Sequence, residues 1–221
     1  MKQLLYVTML ILVIASCKSD GQNGLNSESK LADTLHVDSL NAGIKKYDIQ
    51  SGTLKYIIYN GKDKKNPYDT SESYFADYGA KEARWSNKHK SLMIEKLGFV
   101  WSINMEDMRG NKLLNTLNMG FNPDMIDFKN ISDAVQKQFQ ITKVGEDKVL
   151  GKECTVYSMQ ANEMGLKTRI WLHKFVKLKV ELTSPMGPSN VIECISFDEG
   201  ATPSPDKFEV PEGVQITMIS K

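Results

Sequence analysis

In the stretch Val176-Lys177-Leu178-Lys179-Val180-Glu181-Leu182, aliphatic and charged side chains alternate without a break. Successive side chains of a strand point to opposite faces, so the pattern gives one buried face and one wet face. That marks an antiparallel sheet covered on a single side, because parallel sheets are buried on both faces and carry continuous apolar runs instead. Working outward, residues 153–159, 167–173 and 191–197 have the same strand character. Turn-rich pieces such as 162–165 and 184–189 separate them. These connections are too short for helical crossovers, which excludes a doubly wound parallel sheet.

Upstream, Leu54-Lys55-Tyr56-Ile57-Ile58-Tyr59 is a β-branched and aromatic run that ends at Asn60-Gly61, a strong turn signal. Residues 73–77 and 80–85 flank Tyr78-Gly79, which suggests a bulge or a tight turn. In Phe99-Val100-Trp101-Ser102-Ile103-Asn104-Met105-Glu106, the side chains of Phe99, Trp101, Ile103 and Met105 share one face, opposite Ser102, Asn104 and Glu106. Residues 107–111, with Arg109-Gly110, are read as the turn that closes this strand. Between the two β-rich regions, Met125, Phe128, Ile131, Val135 and Phe139 recur at helical spacing, with Ser132 as N-cap of a helix over 133–139. Its apolar stripe needs a sheet face to pack on. The expectation is a single α+β domain over residues 47–221, mostly antiparallel, with one or two helices on one side of the sheet.

The N-terminus has a different character. Met1-Lys2-Gln3 precedes an apolar run from Leu4 to Ala15, then Ser16-Cys17. An early positive charge, a short apolar stretch and small residues before a junction are the marks of a secretory signal. The run falls well short of the roughly 20 residues needed to span a bilayer. Ile14-Ala15-Ser16-Cys17 resembles the lipobox of bacterial lipoproteins. That resemblance implies cleavage before Cys17, a diacylglyceryl thioether on its sulfur and further acylation of the new amine. The alternative is an ordinary cleaved signal followed by a chance cysteine. Several acyl chains hold firmly, each buried methylene contributing about 0.8 kcal/mol. Residues 1–16 are thus expected to be the signal, and 17–46, rich in Ser, Asn, Asp and Gly, the anchor and a flexible tether. Lys18 following the cysteine, by resemblance to proteobacterial sorting, implies an outer-membrane protein facing the periplasm, with the cell surface as the other possibility.

Charge is nearly balanced, at a formal net of +1, and nothing in it points to a nucleic-acid partner. Cys154 and Cys194 lie in strand-like segments; in an exported protein they form either a disulfide or two separate buried thiols. His36, His89 and His173 are scattered through tether, loop and strand end, without metal-ligand spacing. There is no nucleophile elbow, phosphate-binding loop or dinucleotide fingerprint. No cofactor, metal or catalytic residue is assigned, and the chain reads as a non-enzyme.

The stretch Val144-Gly145-Glu146-Asp147-Lys148-Val149-Leu150-Gly151-Lys152-Glu153-Cys154-Thr155-Val156-Tyr157 resembles a segment of LolA/LolB-like envelope proteins and of related uncharacterised Bacteroidetes lipoproteins. Thr168-Arg169-Ile170-Trp171-Leu172 and Leu178-Lys179-Val180-Glu181-Leu182 follow in the order seen there. Pro205-Asp206-Lys207-Phe208-Glu209-Val210-Pro211-Glu212-Gly213-Val214 resembles the closing segment. Tyr74-Phe75-Ala76-Asp77-Tyr78-Gly79-Ala80-Lys81-Glu82 is more similar to the uncharacterised members than to the carriers. The likeness covers the C-terminal part well and the first half loosely. Its motifs set how the chain bends rather than what it binds.

The resemblance implies a curved antiparallel sheet, a half-open barrel wrapped around helices, which in the carriers encloses an apolar cavity for lipoprotein acyl chains. No functional residue of the carriers matches this chain position by position. From the residues themselves, Phe99, Trp101, Ile103, Met105 and Trp171 are the candidate lining of an apolar pocket for a lipid or a lipoprotein acyl chain. The competing reading packs that face against the helix through Phe128, Val135 and Phe139. Two functions follow: a carrier or binder of a hydrophobic molecule, or an interaction lipoprotein with a solid barrel that holds another envelope protein through loops such as 61–71 or 184–189.

Overall fold

The computed structural model describes residues 45–61, 63–114, 126–161, 166–185 and 190–219. Strands β1 (Gly52–Asn60), β2 (Asp69–Ala76), β3 (Lys81–Ser86), β4 (Ser91–Lys96), β5 (Phe99–Asn104) and β6 (Arg109–Leu114) follow one another as hairpins. Helix α1 (Asp133–Gln138) leads into β7 (Thr142–Val149), β8 (Lys152–Ala161), β9 (Leu166–His173), β10 (Val176–Thr183) and β11 (Asn190–Glu199). The last strand is β12 (Gln215–Ile219). All join one sheet in the order β12-β6-β5-β4-β3-β2-β1-β11-β10-β9-β8-β7. Each neighbour is antiparallel except β12, which runs parallel to β6. Strands β7 and β12 are its two edges, so the sheet curves without closing.

Bulges bend it. The register slips between Lys55 and Tyr56 where β1 meets β11, and between Lys177 and Lys179 where β10 meets β9. An extra residue on one strand kinks and twists the pair locally. The bend brings Leu54 and Tyr56 of β1 into one buried cluster with Val156 of β8 and Trp171 of β9, although β11 and β10 lie between them in the sheet. Gly52 permits a close approach there, since a Cβ would sit 2.7 Å from Phe75 and 2.9 Å from Phe197.

Residues 126–141 cover the other face of β8–β10. Ile126, Phe128 and Ile141 are buried with Met159, Ile170, Leu172 and Val180, and Ile131, Val135 and Phe139 pack against them. The stripe read at helical spacing does bury itself on a sheet. Only its second half is helical: Ser132 caps α1 by accepting from the Val135 N–H at 3.3 Å, and Gln140 ends it at φ 48°. Met125 lies outside the described residues.

Four strands were not anticipated. β7 is an edge strand exposed along nearly all its length, so no buried face writes a pattern into it. β4 and β12 lack clean alternation, and β6 begins at Arg109-Gly110, the dipeptide read as a turn. The turn lies earlier, with Met108 at φ 52°. Gly110 sits where both neighbouring strands leave no room: a Cβ would meet the Ser102 carbonyl at 2.8 Å and Ile103 at 2.9 Å on β5, and Ile216 of β12 at 3.0 Å.

Candidate functional site

Parity along the strands fixes what the concave face carries. Glu82 of β3 sits opposite Phe75 of β2 and Glu95 of β4; Arg84 sits opposite Ser73 and Met93. These side chains share one pleat face and look across the curved sheet at Val176 and Lys177 of β10. Together with Tyr47, Leu54 and Tyr56 they line a cleft enclosing about 30 Å³ open to water. A smaller space of about 10 Å³ is lined by Lys46, Ile126, Phe128 and Phe175 and shares Tyr47, Glu82 and Lys177 with the first. The two spaces adjoin, with Tyr47, Glu82 and Lys177 between them.

The segment just ahead of β1 forms a strap across the mouth. The Tyr47 N–H donates to the Tyr78 carbonyl at 3.0 Å, the Tyr78 N–H to Gln50 at 2.9 Å and the Asp48 N–H to Lys174 at 3.1 Å. Lys129 pairs with Asp48, and the Asn130 amide donates to the Lys45 carbonyl at 3.2 Å. From this strap Lys46 reaches inward and places its ammonium 3.0 Å from Glu82 Oε1 and 2.5 Å from Glu95 Oε1. The Tyr47 ring stands edge-on to Phe75 with centroids 5.0 Å apart. Arg84 Nε donates to Ser73 Oγ at 3.2 Å, and the Tyr56 hydroxyl donates to the Lys177 carbonyl at 2.8 Å.

Burial works against every charge in this group, and the group compensates internally. For Lys46, burial favours the neutral amine, but Glu82 and Glu95 outweigh it and hold the ammonium above its ordinary range. Burial also pushes Glu82 toward its neutral form, yet Lys46 and then Lys177 keep it ionised below the usual carboxylate range. Glu95 is raised, first by burial and then by repulsion from Glu82. Burial, followed by the charge of Glu82, holds the Tyr47 phenol well above its usual value, protonated and able to donate. The ensemble is a preorganised set of opposed charges and donors. Within it Lys46 neutralises the two carboxylates that face each other across β3 and β4.

The residues expected to line a pocket are elsewhere. Trp101 and Ile103 are buried with Ala83, Ile94 and Phe208, while Phe99 and Met105 pack against that cluster. They lie on the convex face, beneath Phe208 of the turn Pro205–Phe208 and beneath Val210, Val214 and Ile216. The helical segment, the other expected cover, packs on β8–β10 instead. Trp171 belongs to a different cluster, where its indole N–H donates to Asp147 at 2.9 Å and Lys179 stands 4.6 Å over its ring. None of the five lines either space. Cys154 and Cys194 are free thiols buried in the same core cluster. Burial raises both, Cys194 to about 11. Cys17 lies outside the described residues.

Sequence reading passed over Lys46, Glu82, Arg84, Glu95 and Lys177. The available signal was spacing: Glu82 and Arg84, like Met93 and Glu95, are two apart in strands, with Ala83 and Ile94 as the apolar residues of the opposite face.

The molecule is thus an open, curved, mostly antiparallel sheet with a charged concave cleft. Two solved structures share this fold. One is an uncharacterised conserved protein from Thermus thermophilus, with TM-score 0.51 and 8% identity over 86% of this chain and 100% of that one. The other is from the Pseudomonas aeruginosa MucA/MucB complex, with TM-score 0.51 and 12% identity over 86% of this chain and 64% of that one. The chain therefore spans about two thirds of the second protein's length. A domain assigned to outer membrane lipoprotein sorting in Vibrio parahaemolyticus aligns over 79% of this chain with TM-score 0.38, too low to bear weight. No protein-family profile and no curated protein sequence matches the chain.

Proposed function

We propose that this chain is a non-enzymatic binding protein of the cell envelope, held at the membrane through acyl chains on Cys17, and that its cleft takes a charged segment of a protein partner. The observation that carries this reading is the charge around the cleft: Glu82, Arg84, Glu95 and Lys177 line a space of about 30 Å³, and Lys46, beside it, pairs with both carboxylates. Pockets for small organic ligands enclose about 300–1,000 Å³ and are mostly apolar. An acyl chain placed here would strip water from carboxylates and ammonium groups and return no hydrogen bonds. A peptide bearing a cationic side chain can instead take the place of Lys46 and keep both carboxylates paired, while the released ammonium turns out to solvent. The likeness to MucB, solved in complex with MucA, agrees with a protein partner through shared fold alone.

The test is in-cell photocross-linking from position 93, in the cleft wall, in the full-length protein. One protein partner should be captured, and Glu82→Gln should abolish the capture while expression is unchanged. Lipid detected by mass spectrometry in the purified protein, with no protein cross-link, would favour the hydrophobic-carrier reading instead. The anchor is tested separately: Cys17→Ser should release the folded protein from the membrane fraction.

A further inference from the structure

Hairpin tips at the two ends of the sheet differ in kind. At one end, the β1–β2 loop carries Lys64 and Lys65, the β3–β4 turn Lys88, His89 and Lys90, and the β5–β6 turn Glu106 and Asp107. At the other end, β4 passes to β5 through Leu97-Gly98, and β7 passes to β8 through Leu150-Gly151. Both pairs have positive φ throughout, 52° and 72° in the first, 54° and 72° in the second. This is the conformation that favours Asn-Gly in two-residue hairpins and disfavours a side chain such as leucine. About half of each leucine stays in water: Leu97 is 49% exposed and Leu150 46%. Leu114, opposite Phe99 at the end of β6, is 47% exposed on the same rim. Two strained, solvent-facing leucines at equivalent positions are unfavourable in the isolated domain on both counts.

The strap of residues 45–50 crosses this same rim, bonded to Tyr78 at the β2–β3 turn and to Lys174 at the β9–β10 turn. The chain running back toward Cys17 therefore leaves the domain there. Only residues 18–44 separate Cys17 from the start of the strap, so this end of the sheet is the one tied to the anchor. Four lysines of the rim are paired, Lys81 with Asp77, Lys96 with Glu209, Lys148 with Glu153 and Lys174 with Glu199, and Lys45 stands 4.0 Å over the Tyr78 ring.

We propose that this rim rests on the membrane bearing the anchor, with Leu97 and Leu150 inserted among the lipid headgroups and upper acyl chains. The inference rests on the reading of Cys17 as an acylated residue. With its ion pairs internally satisfied, the rim binds through the leucines and does not depend on headgroup charge. The opposite end of the sheet then faces away from the bilayer.

The test uses the full-length acylated protein in vesicles of phosphatidylcholine, with or without phosphatidylglycerol, containing lipids with nitroxide-labelled acyl chains. An environment-sensitive fluorophore is placed on Leu150→Cys or, at the far end, on Lys65→Cys. The label at 150 should be quenched severalfold more than the label at 65, equally in both vesicle types. Leu97→Asn should reduce that quenching while leaving the fold intact, since asparagine suits the turn. Equal quenching at both positions overturns the proposal. So does a concentration-dependent dimer that Leu97→Asn dissociates while the label at 150 stays unquenched, which would make the rim a contact between copies. Intact mass reports the anchor independently. Protein that lacks acyl groups yet shows selective quenching keeps the docking and removes the anchor, whereas acylated protein without selective quenching removes the docking alone.

Discussion

Replacing Lys46 by methionine keeps most of the length and apolar stem of the side chain and deletes only the ammonium that joins Glu82 to Glu95. The side chains of Lys46, Glu82 and Glu95 are 22%, 27% and 13% exposed, so the group is largely removed from water. Breaking a fully buried ion pair costs about 3–5 kcal/mol, because the remaining charge is uncompensated. Residual exposure lowers that figure, and a cost of about 2–4 kcal/mol at neutral pH follows. For a domain of this size each kcal/mol moves the melting midpoint by about 2–4 °C, so the loss is readable by calorimetry or urea titration. The pH dependence identifies the cause. In the wild type Glu95 lies above its ordinary value, so its contribution is complete below the unfolded pKa and is lost as pH rises through the folded one. Glu82 lies below its ordinary value and has the opposite sign: its contribution is present above the unfolded pKa and is lost as pH falls through the folded one. Without Lys46 both carboxyls are raised by burial and mutual repulsion, so the variant recovers as they take up protons. The gap between variant and wild type should shrink steadily between about pH 7 and about pH 4.5. A gap of constant size across that range would refute the reasoning and assign the cost to packing of the lysine stem.

Other consequences are simpler to read. Phe208→Ala should destabilise by about 3–5 kcal/mol and shift tryptophan emission to the red, since Phe208 covers Trp101 and Ile94 on the convex face. Leu97→Asn and Leu150→Asn should each stabilise the unanchored domain by up to about 1 kcal/mol in urea titrations, by relieving left-handed strain at exposed sites. Cys154 and Cys194 should resist maleimide reagents in the native state and react on unfolding, because burial holds both thiols protonated.

Strand character was legible wherever burial is one-sided. β1, β5 and β8–β11 all carry apolar residues at period two, and the structure places each close to where the pattern put it. The exclusion of a parallel α/β fold also followed correctly from short connections. β7 was invisible because an edge strand with both faces wet has no alternation to read. β12 was invisible for a different reason: its parallel pairing with β6 depends on the path of residues 200–214, a non-local fact that no window of sequence contains. Curvature was legible only through the resemblance, which implied a curved, half-open sheet; strand patterns could not show it, because it comes from bulges at Ile195 and Leu178.

The charged cleft was not legible in the sequence because a strand pattern does not say which face is covered. Phe99, Trp101, Ile103 and Met105 were correctly read as one face, but a strand pattern says which residues travel together and not what covers them. Two layers compete for a curved sheet, one inside the bend and one outside. The apolar face of β3–β5 went outward, where the C-terminal segment covers it, leaving Glu82, Arg84 and Glu95 inside. Once that face is fixed, the polar lining is forced by period two, and charges inside a bend must be neutralised there. Lys46, supplied by the strap, and Lys177, supplied by β10, are the groups that do so. The cleft is therefore a consequence of which segment claims the convex face. Deleting residues 205–219 should accordingly disturb Lys46 and the strap. Hydrogen exchange at Tyr47 and Asp48, whose amides are bonded to Tyr78 and Lys174, would report that coupling. Unchanged protection at both amides in the truncated protein would mean that the concave face holds its shape without the outer layer.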